Sequence, residues 1–432
     1  MRTSNARKTV AVDCLTRIEG EGAVRVTLRG DQVEDVQLRV FEPPRLFEAF
    51  LRGRHYSEVP DFVARICGIC PVAHQLTSIQ AIERALGIEP DPAVVLLRRL
   101  IYCGEWIESH ALHIYMLQAP DFLGCPDAIA LSRDHKAVVE QGLRLKKAGN
   151  QLVAILGGRE IHPVSLKVGG FHRLPSVASL RGLSDELRWA RDAAIETARL
   201  VAGFEFPDFD LDYEFVALSH PEEYAILAGS VMSSKGEPVE TKDFRKQFPE
   251  QQVKHSHALH SRTHDRGSYL VGPLARFNLN FAQLPQAARE AAREAKLAAP
   301  CRNPFRGIVV RAVETVFACE EALALIARYE PPETASVPAA ARAGCGQSVT
   351  EAPRGALFHQ YKIDERGLIL EAEIVPPTAQ NQKRMEDDLW QVATRFARLP
   401  NEALKEQCAR SVRNYDPCIS CATHCVVIDR VE

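Results

Sequence analysis

The sequence lacks the long apolar segments of a membrane protein and the charge excess of a nucleic-acid-binding protein. No run of about 18 apolar residues occurs, and the N-terminus MRTSNARKTVAVD has neither the apolar core nor the small-residue cleavage site of a signal peptide. Among its 432 residues, 53 Lys and Arg nearly balance 56 Asp and Glu, which leaves a net charge of -3. We therefore expect a cytoplasmic protein with no nucleic-acid partner and no direct membrane insertion.

A nucleotide-binding fingerprint is also missing, and so is any sign of a disulfide framework. The segments GGREIH and VGGFH lack the GxGxxG spacing of a dinucleotide-binding loop. The 12 cysteines are expected to stay reduced, because disulfides are rare in the cytoplasm. Those without paired spacing are predicted to be core residues, and they include Cys14, Cys103, Cys125, Cys301, Cys319, Cys345 and Cys408.

The pattern of apolar residues predicts one mostly α-helical domain over residues 1–432, with small β-sheets attached. Apolar and polar residues alternate through the first forty positions, so residues 1–44 are predicted to be an N-terminal β region. Helical spacing dominates afterwards, and residues 92–117 would form about seven turns of largely buried helix. The helical patterns cover residues 74–87, 92–117, 134–155, 176–203, 283–298, 307–329 and 380–408.

Three segments depart from this helical pattern. Residues 204–280 are polar and contain Pro and Gly, and we interpret them as excursions rather than core. Residues 330–344 are interpreted as a loop or linker. A short hairpin is predicted at residues 355–375, where ALFHQYKID and LILEAEIV flank a turn at ERG.

Two Cys-x-x-Cys pairs lie near opposite ends of the chain, in RICGIC at 65–70 and in DPCISCATH at 416–424. Thiolates are soft ligands, and two cysteines at i and i+3 can converge on one ion from a tight turn. A structural zinc site usually places both pairs within ~15 to 20 residues of each other. Because these pairs lie 351 residues apart, they predict a metal site inside a large fold, with four buried free thiols as the alternative.

These two motifs resemble the signature motifs of nickel-iron hydrogenase large subunits. RICGICPVAHQ and the IVPPTAQNQ segment at 374–382 resemble the cytosolic, NAD(P)-linked branch, which includes sulfhydrogenase-like proteins. The resemblance implies a central bundle of long helices that buries the metal centre. Four further motifs follow in family order: TRIEG (16–20), RLFEAFLRGR (45–54), VGPLAR (271–276) and EAPRGAL (351–357).

The resemblance implies a nickel-iron centre held by four cysteines, with carbon monoxide and cyanide on the iron. Cys67 and Cys418 would bind nickel alone, while Cys70 and Cys421 would bridge nickel and iron. The implied activity is reversible heterolytic cleavage of H2. Four anionic sulfurs would leave an electron-rich nickel with an open position beside the iron.

The resemblance also implies roles for residues around this centre. Glu19 in TRIEG matches the family's proton gate, although a single Glu at a strand end is more often a solvated surface residue. Arg354 would project over the open position and pair with Asp416, although a charged loop residue is ordinarily solvated. The other implied contacts with the cofactor come from Pro353, from Thr378 and from His74, for which a hydrogen bond to Cys70 or a plain core role are both open.

A magnesium site is the third implication of the resemblance. Its ligands would be Glu48, the backbone carbonyl of Glu373 and His424, although imidazole is an unusual ligand for this hard ion. One position departs from the family pattern. Ser109 stands where many respiratory members have Asp, so the hydrogen bonding to Arg354 is expected to differ.

The segment KHSHALHSRTHD has the composition of a metal-binding stretch. The family motifs do not use it, and it lacks a fixed ligand spacing such as HExxH. We interpret it as a solvated loop. Its histidines are His255, His257, His260 and His264.

The implied partners follow from what this chain does not contain. No spare cysteine cluster suits an iron-sulfur relay, so the resemblance implies an iron-sulfur small subunit and diaphorase subunits with flavin and NAD(P). Residues 425–432 (CVVIDRVE) resemble the extension that a maturation endopeptidase removes after nickel-insertion proteins have acted. The alternatives are a hydrogen-sensing regulatory subunit, whose members typically end at the histidine, and a complex I-like subunit, which lacks the cysteine pairs.

Overall fold

A computed structural model describes residues 7–423 of the chain, so His424 and the extension 425–432 lie outside the described residues. Its α-helices are α1 Phe47–Leu51, α2 Val59–Val63, α3 Pro71–Leu86, α4 Pro92–Leu112, α5 Ala119–Phe122, α6 Ala128–Asp134, α7 Lys136–Gly157, α8 Val177–Arg181, α9 Ser184–Ala202, α10 Phe244–Gln247, α11 Pro273–Asn280, α12 Gln286–Glu294, α13 Gly307–Arg328, α14 Pro377–Arg395, α15 Asn401–Arg413 and α16 Ile419–Ala422.

The strands are short and form small antiparallel sheets. Three-stranded sheets have the orders β1-β2-β3 and β10-β11-β12, and the remaining strands pair two by two. The bounds are β1 Arg7–Val12, β2 Gly22–Arg29, β3 Gln32–Val40, β4 Leu166–Lys167, β5 Gly170–Phe171, β6 Val216–Ser219, β7 Ser230–Ser233, β8 Glu250–Gln251, β9 His260–Ser261, β10 Gly344–Ala352, β11 Gly355–Ile363 and β12 Ile369–Val375.

The centre of the molecule is a bundle of the long helices α3, α4, α7, α9 and α13. Helix α4 begins where Asp91 accepts a hydrogen bond from Ala93 N and Pro92 takes the first helical position. Every residue from Leu97 to Ala111 is buried, and the helix packs against α7 and α13. A Cβ on Gly149 of α7 would lie 2.6 Å from Gly104 O of α4, so glycine permits this close packing.

The predicted mixture of a helical body and small sheets is confirmed, with four differences. The helical pattern over 176–203 covers two helices, α8 and α9. The pattern over 380–408 predicts one helix, but α14 and α15 are separate because Pro400 cannot continue a helix. The hairpin predicted at 355–375 gains a third strand, β10, at its edge. The predicted helix 92–117 ends as α4 at Leu112 and continues in a π-helical turn, His113–Gln118.

The interpretation of residues 204–280 as excursions is wrong for their apolar residues. Phe244, Phe248 and Tyr269 are buried in a second apolar cluster, which they share with Phe358 of β11 and Val375 of β12. The segment has little regular structure but large aromatic side chains, and burying these stabilises the fold.

The structure also corrects two interpretations of single residues. Cys103, Cys301, Cys319 and Cys408 are buried as predicted, but Cys14 and Cys345 are exposed and Cys125 is half-buried. The histidine-rich segment is not a solvated loop throughout. His257 and His264 are exposed, whereas His255 is half-buried and His260 is buried beneath α14.

A buried arginine connects the bundle to the β10-β11 turn. Arg276 in α11 donates to both oxygens of Glu314 at 2.8 Å and to Glu351 at 3.0 Å, and all three side chains are fully buried. It also donates to the carbonyls of Ala352 and Pro353. Although burial opposes ionisation, the Arg276 charge lowers the pKa of Glu314 to about 2.

We predict that Arg276→Leu lowers the unfolding free energy by about 3–5 kcal/mol, because it leaves two carboxylates buried without their cation. Arg398→Leu is the matched control, since Arg398 pairs with Asp31 on the surface with 89% of its side chain exposed. Thermal unfolding of the purified protein measures both variants. Similar shifts in the midpoint would show that the buried ion pairs contribute no more than a surface pair.

Candidate metal centre

The two Cys-x-x-Cys pairs meet in the interior of the described fold. Cys67 Sγ lies 3.4 Å from Cys418 Sγ, Cys70 Sγ lies 3.8 Å from Cys421 Sγ, and Cys418 and Cys421 are 2.8 Å apart. All four sulfurs lie within 4.8 Å of one another, and each side chain is no more than 4% exposed. The spacing suits four ligands around a small metal centre.

Local structure holds the first pair in place. Cys67 follows the short helical turn Ala64–Ile66, and its sulfur accepts hydrogen bonds from Ile69 N and Cys70 N at 3.3 and 3.4 Å. Pro71 then takes the first position of α3, where its missing N–H costs no hydrogen bond. Both sulfurs therefore sit at the N-terminal end of α3.

The second pair is held by contacts from distant parts of the chain. Cys418 precedes α16, and its backbone N–H donates to Thr378 Oγ1 at 3.0 Å. Ile419 N donates to Glu19 O at 3.0 Å, so the TRIEG segment pairs with this turn. The residue predicted as cofactor-binding, Thr378, thus positions Cys418 through the backbone.

The chemistry of the donor set fits a metal. Burial and the neighbouring Cys421 sulfur raise the pKa of the Cys418 thiol well above its ordinary value. A hydrogen bond with Cys418 has the opposite effect on Cys67 and lowers its pKa. Four thiolates this close together in a buried site require a cation between them.

Arg354 lies in the two-residue turn between β10 and β11, beside the thiols. Its Nε donates to Asp416 O at 2.6 Å and its Nη2 to Asp416 Oδ1 at 3.0 Å. Its Nη1 is buried and has no hydrogen-bond partner among residues 7–423. Gly272 and Gly355 allow this placement, because a Cβ on Gly272 would lie 2.8 Å from Arg354 O and one on Gly355 would lie 2.7 Å from Gly272 N. Pro353 is buried in the same turn.

The carboxylate of Glu19 contacts the turn between the last two cysteines. Its Oε2 accepts from Ser420 N at 3.0 Å and its Oε1 from Ser420 Oγ at 2.6 Å. The Ser420 hydroxyl also lies 3.0 Å from Glu42 Oε1. Glu19 is half-buried, so this group lies between the thiol cluster and the surface.

His74 contacts the thiol cluster from α3. Its Nε2 lies 3.6 Å from Cys421 Sγ, the other thiol that the resemblance assigns as bridging. Its Nδ1 lies 3.2 Å from His359 Nε2, and His359 Nδ1 lies 2.7 Å from the Tyr361 hydroxyl. The predicted hydrogen bond from the ring to Cys70 stays a prediction, and the His74 backbone N–H donates to Cys70 O at 3.4 Å.

Glu48 and Glu373, two of the three residues predicted to bind magnesium, are not part of this cluster. Glu48 Oε1 accepts from Ile374 N at 2.7 Å, which brings its carboxylate next to the Glu373 backbone. Thr423 O accepts from Arg45 N at 2.7 Å, so the chain preceding His424 runs beside the start of α1. The third predicted ligand, His424, lies outside the described residues.

Two buried polar residues of α4, Glu105 and Ser109, lie outside the sequence motifs. Glu105 accepts hydrogen bonds from Val72 N and Ala73 N at 2.7 and 3.1 Å, so it caps the helix that begins after Cys70. The sequence signal that could have identified Glu105 is an acidic residue within the apolar stretch LIYCGEWI. Ser109 is fully buried, and its hydroxyl has no hydrogen-bond partner in the described part of the chain.

Comparison with known proteins agrees with this geometry. The nickel-dependent hydrogenase family matches residues 45–142 and 242–424. The sulfhydrogenase 1 subunit alpha of Pyrococcus furiosus is 34% identical over 425 residues, covering 96% of this chain and 98% of the relative. The sulfhydrogenase 2 subunit alpha of the same organism is 34% identical over 420 residues, covering 96% and 99%.

Solved structures share the fold. An NAD+-reducing NiFe hydrogenase in the H2-reduced state matches with a TM-score of 0.87 at 27% identity, covering 96% of this chain and 99% of that one. A NiFeSe hydrogenase of Dm. baculatum has the same fold, with a TM-score of 0.78. Within residues 7–423, every helix is too short or too polar to cross a membrane. The chain therefore belongs to the large-subunit family of nickel-dependent hydrogenases, enzymes that oxidise H2.

Proposed function

We propose that this chain is the catalytic subunit of a complex that converts H2 reversibly into two protons and two electrons and passes the electrons toward NAD(P). The observation that carries the proposal is the buried group of four cysteine sulfurs within 4.8 Å of one another. Cys67, Cys70, Cys418 and Cys421 would hold the nickel, and Cys70 and Cys421 would also hold the iron. When bound, a nickel-iron centre with carbon monoxide and cyanide on its iron supplies the redox chemistry for H2 cleavage.

Arg354 is proposed to act as a fixed positive charge beside this centre. Its Nε and Nη2 donate to Asp416, which leaves the buried Nη1 as a donor without a partner among residues 7–423. A preorganised donor in a buried site stabilises developing negative charge more than water does, because it does not need to reorient. Pro353 is buried in the same turn, and its apolar ring is proposed to line the site beside Arg354.

Glu19 is proposed to carry the proton away from the cysteine turn. It contacts Ser420, which lies between Cys418 and Cys421, and it is half-buried. A carboxylate at such a position can accept a proton from a thiol and release it to the outside. Its two hydrogen bonds from Ser420 orient the carboxylate for this transfer.

His74 is proposed to position the sulfur of Cys421, and Thr378 is proposed to position the sulfur of Cys418. The Nε2 of His74 lies 3.6 Å from Cys421 Sγ, where an N–H would lower the charge on a thiolate. Thr378 accepts the Cys418 N–H and thereby orients the turn that carries Cys418 Sγ. Both residues are buried, so their contacts are shielded from water.

A magnesium ion is proposed to bind Glu48, the carbonyl of Glu373 and His424. The proximity of Glu48 to Ile374 N and of Thr423 to Arg45 supports this proposal. Carboxylate and carbonyl oxygens are ligands that Mg2+ accepts, and waters would complete its coordination. Bound there, the ion would fasten the end of the described chain to α1.

The electrons require partner subunits. Outside the group of four, the described residues hold no cluster of three or more cysteines within ligand distance, so an iron-sulfur small subunit is proposed to receive the electrons. The solved relative is NAD+-reducing, which supports diaphorase subunits that carry flavin and bind NAD(P). Since NAD(P) turnover takes place in the cytoplasm, the proposed complex is cytoplasmic.

The proposal is tested on the complex purified from its host. We expect nickel and magnesium at one per chain, infrared bands from carbon monoxide and cyanide, and H2-dependent reduction of NAD+ or NADP+. Polysulfide is assayed as a second electron acceptor, because two of the relatives are named sulfhydrogenases. Zinc in place of nickel, with no H2-dependent reduction of any acceptor, would disprove the proposed activity.

A further inference from the structure

A second group of metal-ligand side chains lies apart from the four cysteines. It consists of His255, His260 and Glu386, whose ligand atoms all lie within 4.8 Å of one another. Glu386 is in α14, eight residues beyond Thr378, which corresponds to about 12 Å along the helix axis. His260 is in β9, which packs against α14.

The unusual member of this group is His260. Its side chain is only 1% exposed, yet neither Nδ1 nor Nε2 has a hydrogen-bond partner among the described residues. Buried polar side chains are almost always hydrogen-bonded, because an unpaired one loses its hydration without compensation. Such a ring therefore indicates a missing partner at this site.

The geometry of the other two residues suits a metal. His255 Nε2 lies 2.7 Å from Glu386 Oε1, and His260 Nδ1 lies 3.8 Å from Glu386 Oε2. Tetrahedral zinc with bonds of about 2.0–2.1 Å separates its ligand atoms by roughly 3.3 Å, a value between these two distances. Leu38 N donates to Glu386 Oε1 at 3.0 Å and holds the carboxylate from the side of β3.

One cation competes for the carboxylate. Lys383 Nζ lies 3.9 Å from Glu386 Oε2, but its closer partner is Asp387 Oδ1 at 2.7 Å. The lysine can therefore remain paired when Glu386 turns toward a metal. Two imidazoles and one carboxylate are a ligand set that zinc favours, with a water in the fourth position.

We propose that His255, His260 and Glu386 bind a structural Zn2+ ion that fastens the histidine-rich segment to α14. The ion would replace the missing partner of His260 and cross-link β9, the preceding loop and α14. This site is independent of the nickel-iron centre. Zinc is expected to raise the midpoint of thermal unfolding of the intact complex.

The test uses the purified complex, dialysed against ZnCl2 and freed of loosely bound metal. We expect one zinc per chain, with nitrogen and oxygen neighbours at about 2.0–2.1 Å and no sulfur shell in X-ray absorption spectra. His260→Gln and His255→Gln should each reduce zinc at least tenfold and remove its effect on thermal unfolding. The exposed His264 provides the control, and His264→Gln should retain the zinc.

Nickel content measured in the same samples separates this proposal from the proposed hydrogenase activity. Variants that keep nickel but lose zinc support the second site, and they also show that the chain has folded. Three outcomes overturn the zinc site: no zinc retained by the unaltered complex, sulfur ligands at about 2.3 Å, or equal zinc in His260→Gln, His255→Gln and His264→Gln.

Discussion

Cys418→Ser is expected to abolish nickel binding and with it H2 oxidation. Serine is nearly isosteric with cysteine, but its hydroxyl is a hard and weakly acidic ligand, whereas nickel in this site is matched to soft thiolates. Loss of an outer-shell partner alone typically lowers metal affinity or activity about 10–100-fold, so loss of a direct ligand should exceed that range. Metal analysis and an H2-uptake assay on the same purified complex measure both effects.

Cys408→Ser is the matched control for this experiment. Cys408 is also buried, but it lies in α15, and burial raises the pKa of its thiol to about 12, so it remains a neutral apolar side chain. We expect this variant to keep its nickel and most of its activity. Equal nickel in the two variants would contradict the assignment of Cys418 as a ligand, and equal loss in both would point to a general defect in folding.

The position of the cysteine site was the part of the structure most accessible from sequence. The flanks of each Cys-x-x-Cys pair identified the family, and helical spacing located most of the long helices within a few residues. Both signals are local, because a helix is determined by side chains three and four positions apart. The 351-residue separation of the two pairs predicted a metal site inside a large fold, and the family resemblance implied which metals it holds.

Other features depend on contacts between distant residues, which the local pattern does not contain. His260 and Glu386 are 126 residues apart in the sequence, so the lack of a local ligand spacing favoured a solvated loop where the structure buries a histidine. Glu105 caps α3 from the neighbouring helix α4, and an isolated Glu gives no sign of its partner. Strand β10 was missed because its Gly- and Ser-containing sequence lacks strict alternation.

Glu19→Gln is expected to slow H2 oxidation roughly 10²–10⁴-fold while nickel and iron remain bound. The amide preserves the size of the side chain and can still accept the hydrogen bond from Ser420 N, but it cannot take up and release a proton. The measurement is the exchange of H2 with D2O, which requires proton transfer between the buried site and solvent, together with metal content. Glu19→Asp should recover part of the rate because it restores an ionisable group.

Glu21→Gln is the control for the loss of a nearby charge. Glu21 lies two residues further along the same segment and is exposed, so removing its carboxylate should leave the exchange rate within about twofold, as surface substitutions usually have small effects. If Glu19→Gln instead loses its metals, the hydrogen bonds that Glu19 accepts from Ser420 hold Cys418 and Cys421 in place, and the carboxylate is a positioning group. If both metals and exchange persist, the proton leaves by another route and the role proposed for Glu19 is wrong.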